Sequence, residues 1–130
     1  MGCSKYLMAI DAGTGSVRAV IFDTDGNQLA VSAREWEHKE DSRFPGSMNF
    51  DWVYNWHLTS SCIKEAIDLS NINPKDIGAI STTCMREGIV LYDKDGNEIW
   101  ACANVDARSS DEVIELIDKN EGISVSQISK

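Results

Sequence analysis

A single mixed α/β domain is the fold class this sequence predicts, and three observations predict it. Residues 6–10 form a continuous apolar run, the pattern of a central strand. One turn sequence occurs twice, Asp23-Thr24-Asp25-Gly26-Asn27 and Asp93-Lys94-Asp95-Gly96-Asn97, each time between strand-like runs. After Asp51, a residue type suited to a helix N-cap, Trp52, Trp56, Thr59, Ile63, Ala66 and Ile67 recur on one face at helical spacing.

Each element follows in order. Residues 6–10 are the first strand and 17–23 the second; in 28–36, Leu29, Val31 and Ala33 alternate with polar positions as a third. Residues 38–49 show no period and contain Pro45-Gly46, which reads as a surface loop. The helix after Asp51 is broken by Asn71-Ile72-Asn73-Pro74, and Ile77–Cys84 is a further strand. Residues 90–92 and 98–100 flank the second Asp-rich turn as a hairpin. Val113, Leu116 and Ile117 mark a second amphipathic helix from about 106 to 120, stopped near Gly122. The acidic turns lack the glycine position and flanking helices of a calcium-binding loop, so they read as plain hairpin turns.

Composition narrows the partners. With 42% hydrophobic and 25% charged residues among 130, the chain can bury one core. Its net charge of -9 argues against nucleic acid or an anionic membrane surface as a partner. No run approaches the roughly 20 apolar residues that cross a bilayer, and no signal-peptide pattern opens the chain. The myristoylation-like start has Tyr6 where Ser or Thr is required. Cys3, Cys62, Cys84 and Cys102 form no Cys-x-x-Cys pair, and His38 and His57 add no zinc spacing. The last three cysteines lie among apolar neighbours and read as small buried residues in a reducing cytoplasm.

The stretch Asp11-Ala12-Gly13-Thr14-Gly15-Ser16-Val17-Arg18 carries the chemistry. Gly13 and Gly15 let backbone N–H groups approach a ligand and adopt positive φ, forming an anion-binding concavity. The Thr14 and Ser16 hydroxyls add donors, and Arg18 offers a planar fork suited to phosphate. Asp11 makes sense beside a phosphate when Mg²⁺ lies between them. Neither a P-loop nor a dinucleotide fingerprint fits, because the lysine and the third glycine are missing and a strand follows. Two readings stand on chemistry alone, a phosphate loop and an ordinary hairpin turn. A second cluster lies where strand Ile77–Cys84 runs into Met85-Arg86-Glu87-Gly88. There Arg86 could donate to, and Glu87 accept from, vicinal hydroxyls, or the two could be an ion-paired strand end. Asn104-Val105-Asp106-Ala107-Arg108 adds a third polar group, in which Asp106 equally suits a helix N-cap.

On the Asp11-Ala12-Gly13-Thr14 hairpin, the strand ending Met85-Arg86-Glu87 and the segment ending Asp106-Ala107-Arg108, the chain resembles the amino-terminal part of the FGGY carbohydrate kinases. These belong to the actin-like, ribonuclease-H-fold ATPases. The segments Cys84-Met85-Arg86-Glu87-Gly88-Ile89-Val90-Leu91-Tyr92 and Trp100-Ala101-Cys102-Ala103-Asn104-Val105-Asp106-Ala107-Arg108 look closest to the autoinducer-2 kinase subgroup, which phosphorylates a small linear polyhydroxy ketone. Many family members read Trp-x-Asp-x-Arg where this chain has Asn104 at the Trp position, which weakens a glycerol-kinase assignment. The resemblance implies a mixed sheet with flanking helices, a partial domain spanning 1–130, and a second lobe outside it. It implies Asp11 at Mg²⁺, with Gly13, Thr14, Gly15 and Arg18 near the β- and γ-phosphates of ATP, and Arg86, Glu87, Asn104 and Asp106 at the sugar. The general base is expected beyond Lys130, so the chain alone is expected to be inactive. The setting is expected to be cytoplasmic, with a homodimer possible. The rival class is a non-catalytic actin-like nucleotide-binding module, which has no reason to present the Arg86-Glu87 pair.

Overall fold

The computed structural model describes residues 5–119, which form eight strands, two α-helices and a short 3-10 helix at Pro74–Asp76. In chain order the strands and α-helices are β1 (Tyr6–Ala12), β2 (Ser16–Asp23), β3 (Gln28–Glu35), β4 (Lys39–Asp41), β5 (Phe44–Asn49), α1 (Trp52–Ser70), β6 (Ile77–Cys84), β7 (Ile89–Tyr92), β8 (Glu98–Cys102) and α2 (Ser110–Lys119). The first sheet has the order β3-β2-β1-β6, with β1 antiparallel to β2 and parallel to β6. The apolar run of β1 is therefore internal, as its pattern predicts. The second sheet has the order β4-β5-β8-β7.

The core lies between α1 and one face of the first sheet. Met8 of β1, Val17, Ala19 and Ile21 of β2, Trp36, and Cys62 and Ala66 of α1 form its buried cluster. Full burial of a side chain such as Ile21 contributes roughly 1.5–3 kcal/mol. Asp51 caps α1 as its type predicts, accepting from the Tyr54 amide at 2.9 Å. Asn71 ends the helix in the left-handed region, with φ 53°. The buried stripe of α1 is rotated from the expected one, however. It runs through Asn55, Cys62 and Ala66, whereas Trp56 is 64% exposed. Small residues let the helix approach the sheet closely, and the bulky indole is displaced to the rim.

Both Asp-rich turns close as paired copies. Asp23 accepts from the amides of Asp25 and Asn27 and from Asn27 Nδ2. Asp93 makes the same three bonds with Asp95 and Asn97. Gly26 and Gly96 take φ of 88° and 85°, which only glycine adopts without strain. The carboxylates of Asp23 and Asp93 are thus engaged by their own turns, which lowers their pKa through the Asn27 and Asn97 bonds first.

Three expectations are corrected. Residues 38–49 are largely the β4–β5 hairpin, not a loop. These short strands have no readable period and are held by distant partners, Asn49 pairing with Cys102 of β8. Cys84 is exposed, unlike Cys62 and Cys102, because β6 is uncovered by the described residues, every position after Ile77 being exposed. The second helix begins at Ser110 and has no buried residue. Asp106 is not its N-cap, since the Val113 amide bonds the Ser109 carbonyl. Cys3 and the stop near Gly122 lie outside the described residues.

Candidate functional site

Because β1 and β6 run parallel, their carboxyl ends emerge together, with Asp11 opposite Thr83 and Ala12 opposite Cys84. This is the edge where open α/β sheets gather ligands. The Met85 amide donates to the Ala12 carbonyl at 2.8 Å, tying the Arg86-Glu87 turn to the root of the β1–β2 hairpin.

At the hairpin tip the Gly13 amide donates to the Ser16 carbonyl at 2.9 Å. Among the described glycines, positive φ belongs to Gly26, Gly46 and Gly96, so Gly13 and Gly15 do not use the left-handed region expected of them. A Cβ placed on Gly15 meets no atom within 4 Å. Glycine here leaves the backbone open to approach from outside, a different use of the same missing side chain.

Thr14 is held from two directions. Its hydroxyl donates to Asn104 Oδ1 at 3.0 Å, joining residues 90 positions apart in the chain. Its carbonyl accepts from Trp36 Nε1 at 2.9 Å and from His38 Nε2 at 2.6 Å. Asp11 and Arg18 face each other across the hairpin, Arg18 Nε lying 3.5 Å from Asp11 Oδ2, with both side chains about half exposed. Such a solvated pair is held weakly and can open to a ligand.

The Arg86 and Glu87 side chains are exposed and take part in no ion pair or hydrogen bond with the described residues. They do not form the ion-paired strand end that was the alternative. Glu87 sits at φ 67°, a left-handed conformation that costs a non-glycine residue about 1–2 kcal/mol. Gly88 follows it tightly packed, since a Cβ there would lie 3.3 Å from Met85 Cγ and Sδ.

Asp106 is placed differently from the sequence expectation. Its side chain is only 8% exposed, and protein donors occupy its carboxylate. The Met48 amide donates at 2.6 Å, while Arg108 donates through Nε at 2.8 Å and Nη2 at 2.7 Å. Arg108 also bonds Asn49 Oδ1 at 2.6 Å and lies over the Trp100 ring at 4.9 Å. Asp106 therefore anchors its segment to β5 and so steadies Asn104 beside Thr14. The Arg108 hydrogen bonds, with help from the Met48 amide, hold Asp106 at a pKa of about 2 against a burial penalty in the other direction. A depressed carboxylate stabilises the fold above its unfolded value of about 3.9 and loses that contribution as pH falls toward the folded value. Asp106→Asn is expected to lower stability at neutral pH and to flatten the acid limb between about pH 4 and 2. Urea midpoints measured across that range for both proteins check it.

Trp36, His38 and the Met48 amide escape sequence reasoning. Nothing in their spacing marks them, because their contacts arise only when β3 and β5 are laid beside the hairpin. Among the described residues no group of three His, Cys, Asp or Glu could hold a metal, so a metal at Asp11 would draw its other ligands from a bound molecule or water. No described helix is long and apolar enough to cross a membrane.

Residues 6–130 match the N-terminal domain of the FGGY family of carbohydrate kinases. The autoinducer-2 kinase of Klebsiella pneumoniae subsp. pneumoniae is 57% identical over 112 residues, which are 86% of this chain and 21% of that kinase. The autoinducer-2 kinase of Yersinia pestis is 59% identical over 111 residues, covering 85% of the chain and 21% of the kinase. Xylulose kinase from Rhodospirillum rubrum superposes with a TM-score of 0.72 at 25% identity, over 90% of this chain and 24% of that one. Plasmodium falciparum glycerol kinase with ADP gives 0.67 at 20% identity, over 92% and 24%. The chain thus spans about a fifth of the curated relatives it matches. Its mixed sheets and helices are those of the sugar kinases of the actin-like ATPase fold, and the chain belongs to the FGGY family of carbohydrate kinases.

Proposed function

We propose that this chain contributes the first phosphate hairpin and part of the polyol site of an ATP-dependent kinase acting on a linear polyhydroxy ketone of the autoinducer-2 type. One observation carries the reading: the hairpin tip, the Arg86-Glu87 turn and Asn104 meet at the carboxyl edge of β1 and β6. The names and identities of the relatives support the substrate class.

In this reading the Gly13, Thr14 and Gly15 backbone cradles the β- and γ-phosphates and Arg18 leaves Asp11 to meet phosphate oxygen. Arg86 donates to substrate hydroxyls and Glu87 accepts from them. Asn104 contributes beside Thr14, and Asp106 acts by holding that segment still. Asp11 fits Mg²⁺, since among the described residues its exposed carboxylate has Arg18 alone, at 3.5 Å, and could ligate the ion or accept from its water. When bound, the ion supplies charge neutralisation at the phosphates. The hairpin and turn then work by alignment of hydroxyl and phosphoryl group. A carboxylate outside this chain takes the hydroxyl proton.

The test is a full-length kinase assayed with Mg-ATP against linear polyhydroxy ketones, xylulose and glycerol. The linear ketone is expected to give the highest kcat/KM. Glu87→Gln is expected to lower sugar phosphorylation about 10- to 100-fold, the loss of a charged hydrogen bond, with background ATP hydrolysis nearly unchanged. Equal loss of both activities would move Glu87 from the sugar to the nucleotide or the fold.

A further inference from the structure

Trp36 and His38 lie outside every motif that marks the site, yet both donate to one acceptor at its centre. The Thr14 carbonyl accepts from Trp36 Nε1 at 2.9 Å and His38 Nε2 at 2.6 Å. A carbonyl has two acceptor positions and both are taken, and because it only accepts, His38 must carry its proton on Nε2. The ring's other nitrogen, Nδ1, is buried and has no partner among the described residues, so none of them competes to turn it. Phe50 braces both donors. Its ring meets Trp36 edge-on at 5.5 Å and 84°, and His38 at 5.8 Å and 37°. The Trp36 amide adds a bond to the Gly15 carbonyl at 3.1 Å.

The consequence lies on the other side of the peptide plane. The Thr14–Gly15 peptide is trans, so its N–H points opposite to its C=O. With the carbonyl locked toward Trp36 and His38, the Gly15 N–H is aimed away from them, and none of the described residues accepts from it. We infer that Trp36 and His38 are positioning residues that lock the Thr14–Gly15 peptide with its N–H outward, toward a phosphate oxygen of the nucleotide. A flipped peptide would present the carbonyl oxygen to the phosphate and repel it. The inference rests on the proposed function for the identity of the phosphate, and on geometry for the lock.

The test uses the full-length kinase and four variants. His38→Phe keeps a ring but no donor. His38→Gln places an amide N–H near the Nε2 position, whereas His38→Asn is one bond too short. Trp36→Phe removes the second donor. His38→Phe and Trp36→Phe are each expected to lower kcat/KM for Mg-ATP at least tenfold while sugar KM stays within twofold. His38→Gln is expected to recover most of the loss and His38→Asn little of it. Should the Phe variants fail to fold, the Gln–Asn comparison decides alone. Equal behaviour of Gln and Asn, or parallel loss for ATP and sugar, would overturn the lock. Calorimetric affinity for Mg-ATP must show the same order, wild type and Gln above Asn and Phe. A wild-type protein that binds Mg-ATP but phosphorylates no polyol would defeat the proposed function, and calorimetry would still decide the lock.

Discussion

Glu87→Gly is expected to make the full-length protein melt at a higher temperature while sugar phosphorylation falls by two orders of magnitude or more. The left-handed backbone at φ 67° costs a glutamate about 1–2 kcal/mol, which glycine does not incur. Glycine loses more chain entropy on folding, about 0.5–1 kcal/mol, so relief of strain wins by up to about 1.5 kcal/mol. That margin corresponds to a rise of about 1 °C in a protein roughly five times this chain's aligned length, as the relatives are. The side chain, in contrast, contributes nothing to folding through the described residues, since it has no hydrogen bond or ion pair with them. Strain at an exposed carboxylate with no partner among the described residues accords with the proposed role of Glu87 at the sugar. Calorimetric melting and a coupled kinase assay check the two halves together. A lower melting temperature, or activity within a few-fold of wild type, would contradict this account of the turn.

The 130-residue chain by itself is expected to show no kinase turnover and to associate with itself as its concentration rises. Among the described residues β6 borders the first sheet, pairs with β1 alone, and is exposed at all but its first residue, with Ile80 59% exposed. An outer edge without a strand partner among those residues is a template for unwanted strand pairing. Asn55 is 2% exposed, yet neither of its amide atoms has a hydrogen-bond partner among the described residues. It lines an open cavity of about 330 Å³ with Trp52, Trp56, Thr82 and Thr83. A buried, unsatisfied amide costs about 1–3 kcal/mol, so this face is unfavourable when left bare. Phosphates at the hairpin would also remain solvated on one side, where charge interactions are screened. Sedimentation velocity over a concentration series and a coupled assay test the expectation. Ser81→Lys, which places a charge on the β6 edge, is expected to shift the chain toward monomer. A wild-type chain that stays monomeric and turns over ATP and sugar would refute it.

Much of the fold was legible because its signals are local. The apolar run of β1, the paired Asp-x-Asp-Gly-Asn turns and the Asp51 cap each act within a few residues. Ile77–Cys84 was legible to the residue, bounded by Pro74 on one side and the Arg86-Glu87 turn on the other. The β4–β5 hairpin was not, because its short strands depend on β8, more than 50 positions away. Nor was the rotation of α1, since Trp56 satisfies the helical period as well as Cys62 does. Close approach of the helix to the sheet decided between them in favour of the small residue.

The candidate site divides along the same line. By itself the sequence determined which chemical groups are available: a glycine-flanked Thr14, the Asp11 carboxylate, the Arg86-Glu87 pair and Asn104. Side-chain chemistry is a property of each residue and survives any arrangement. Only the tertiary structure decided that Thr14 meets Asn104, that Asp106 is spent on Arg108 and the Met48 amide, and that Trp36 and His38 hold the Thr14 carbonyl. Those outcomes depend on the parallel pairing of β1 with β6 and on the second sheet lying against the hairpin. Hydrogen bonds form over about 3 Å, and no spacing along a chain encodes which distant residues will come that close.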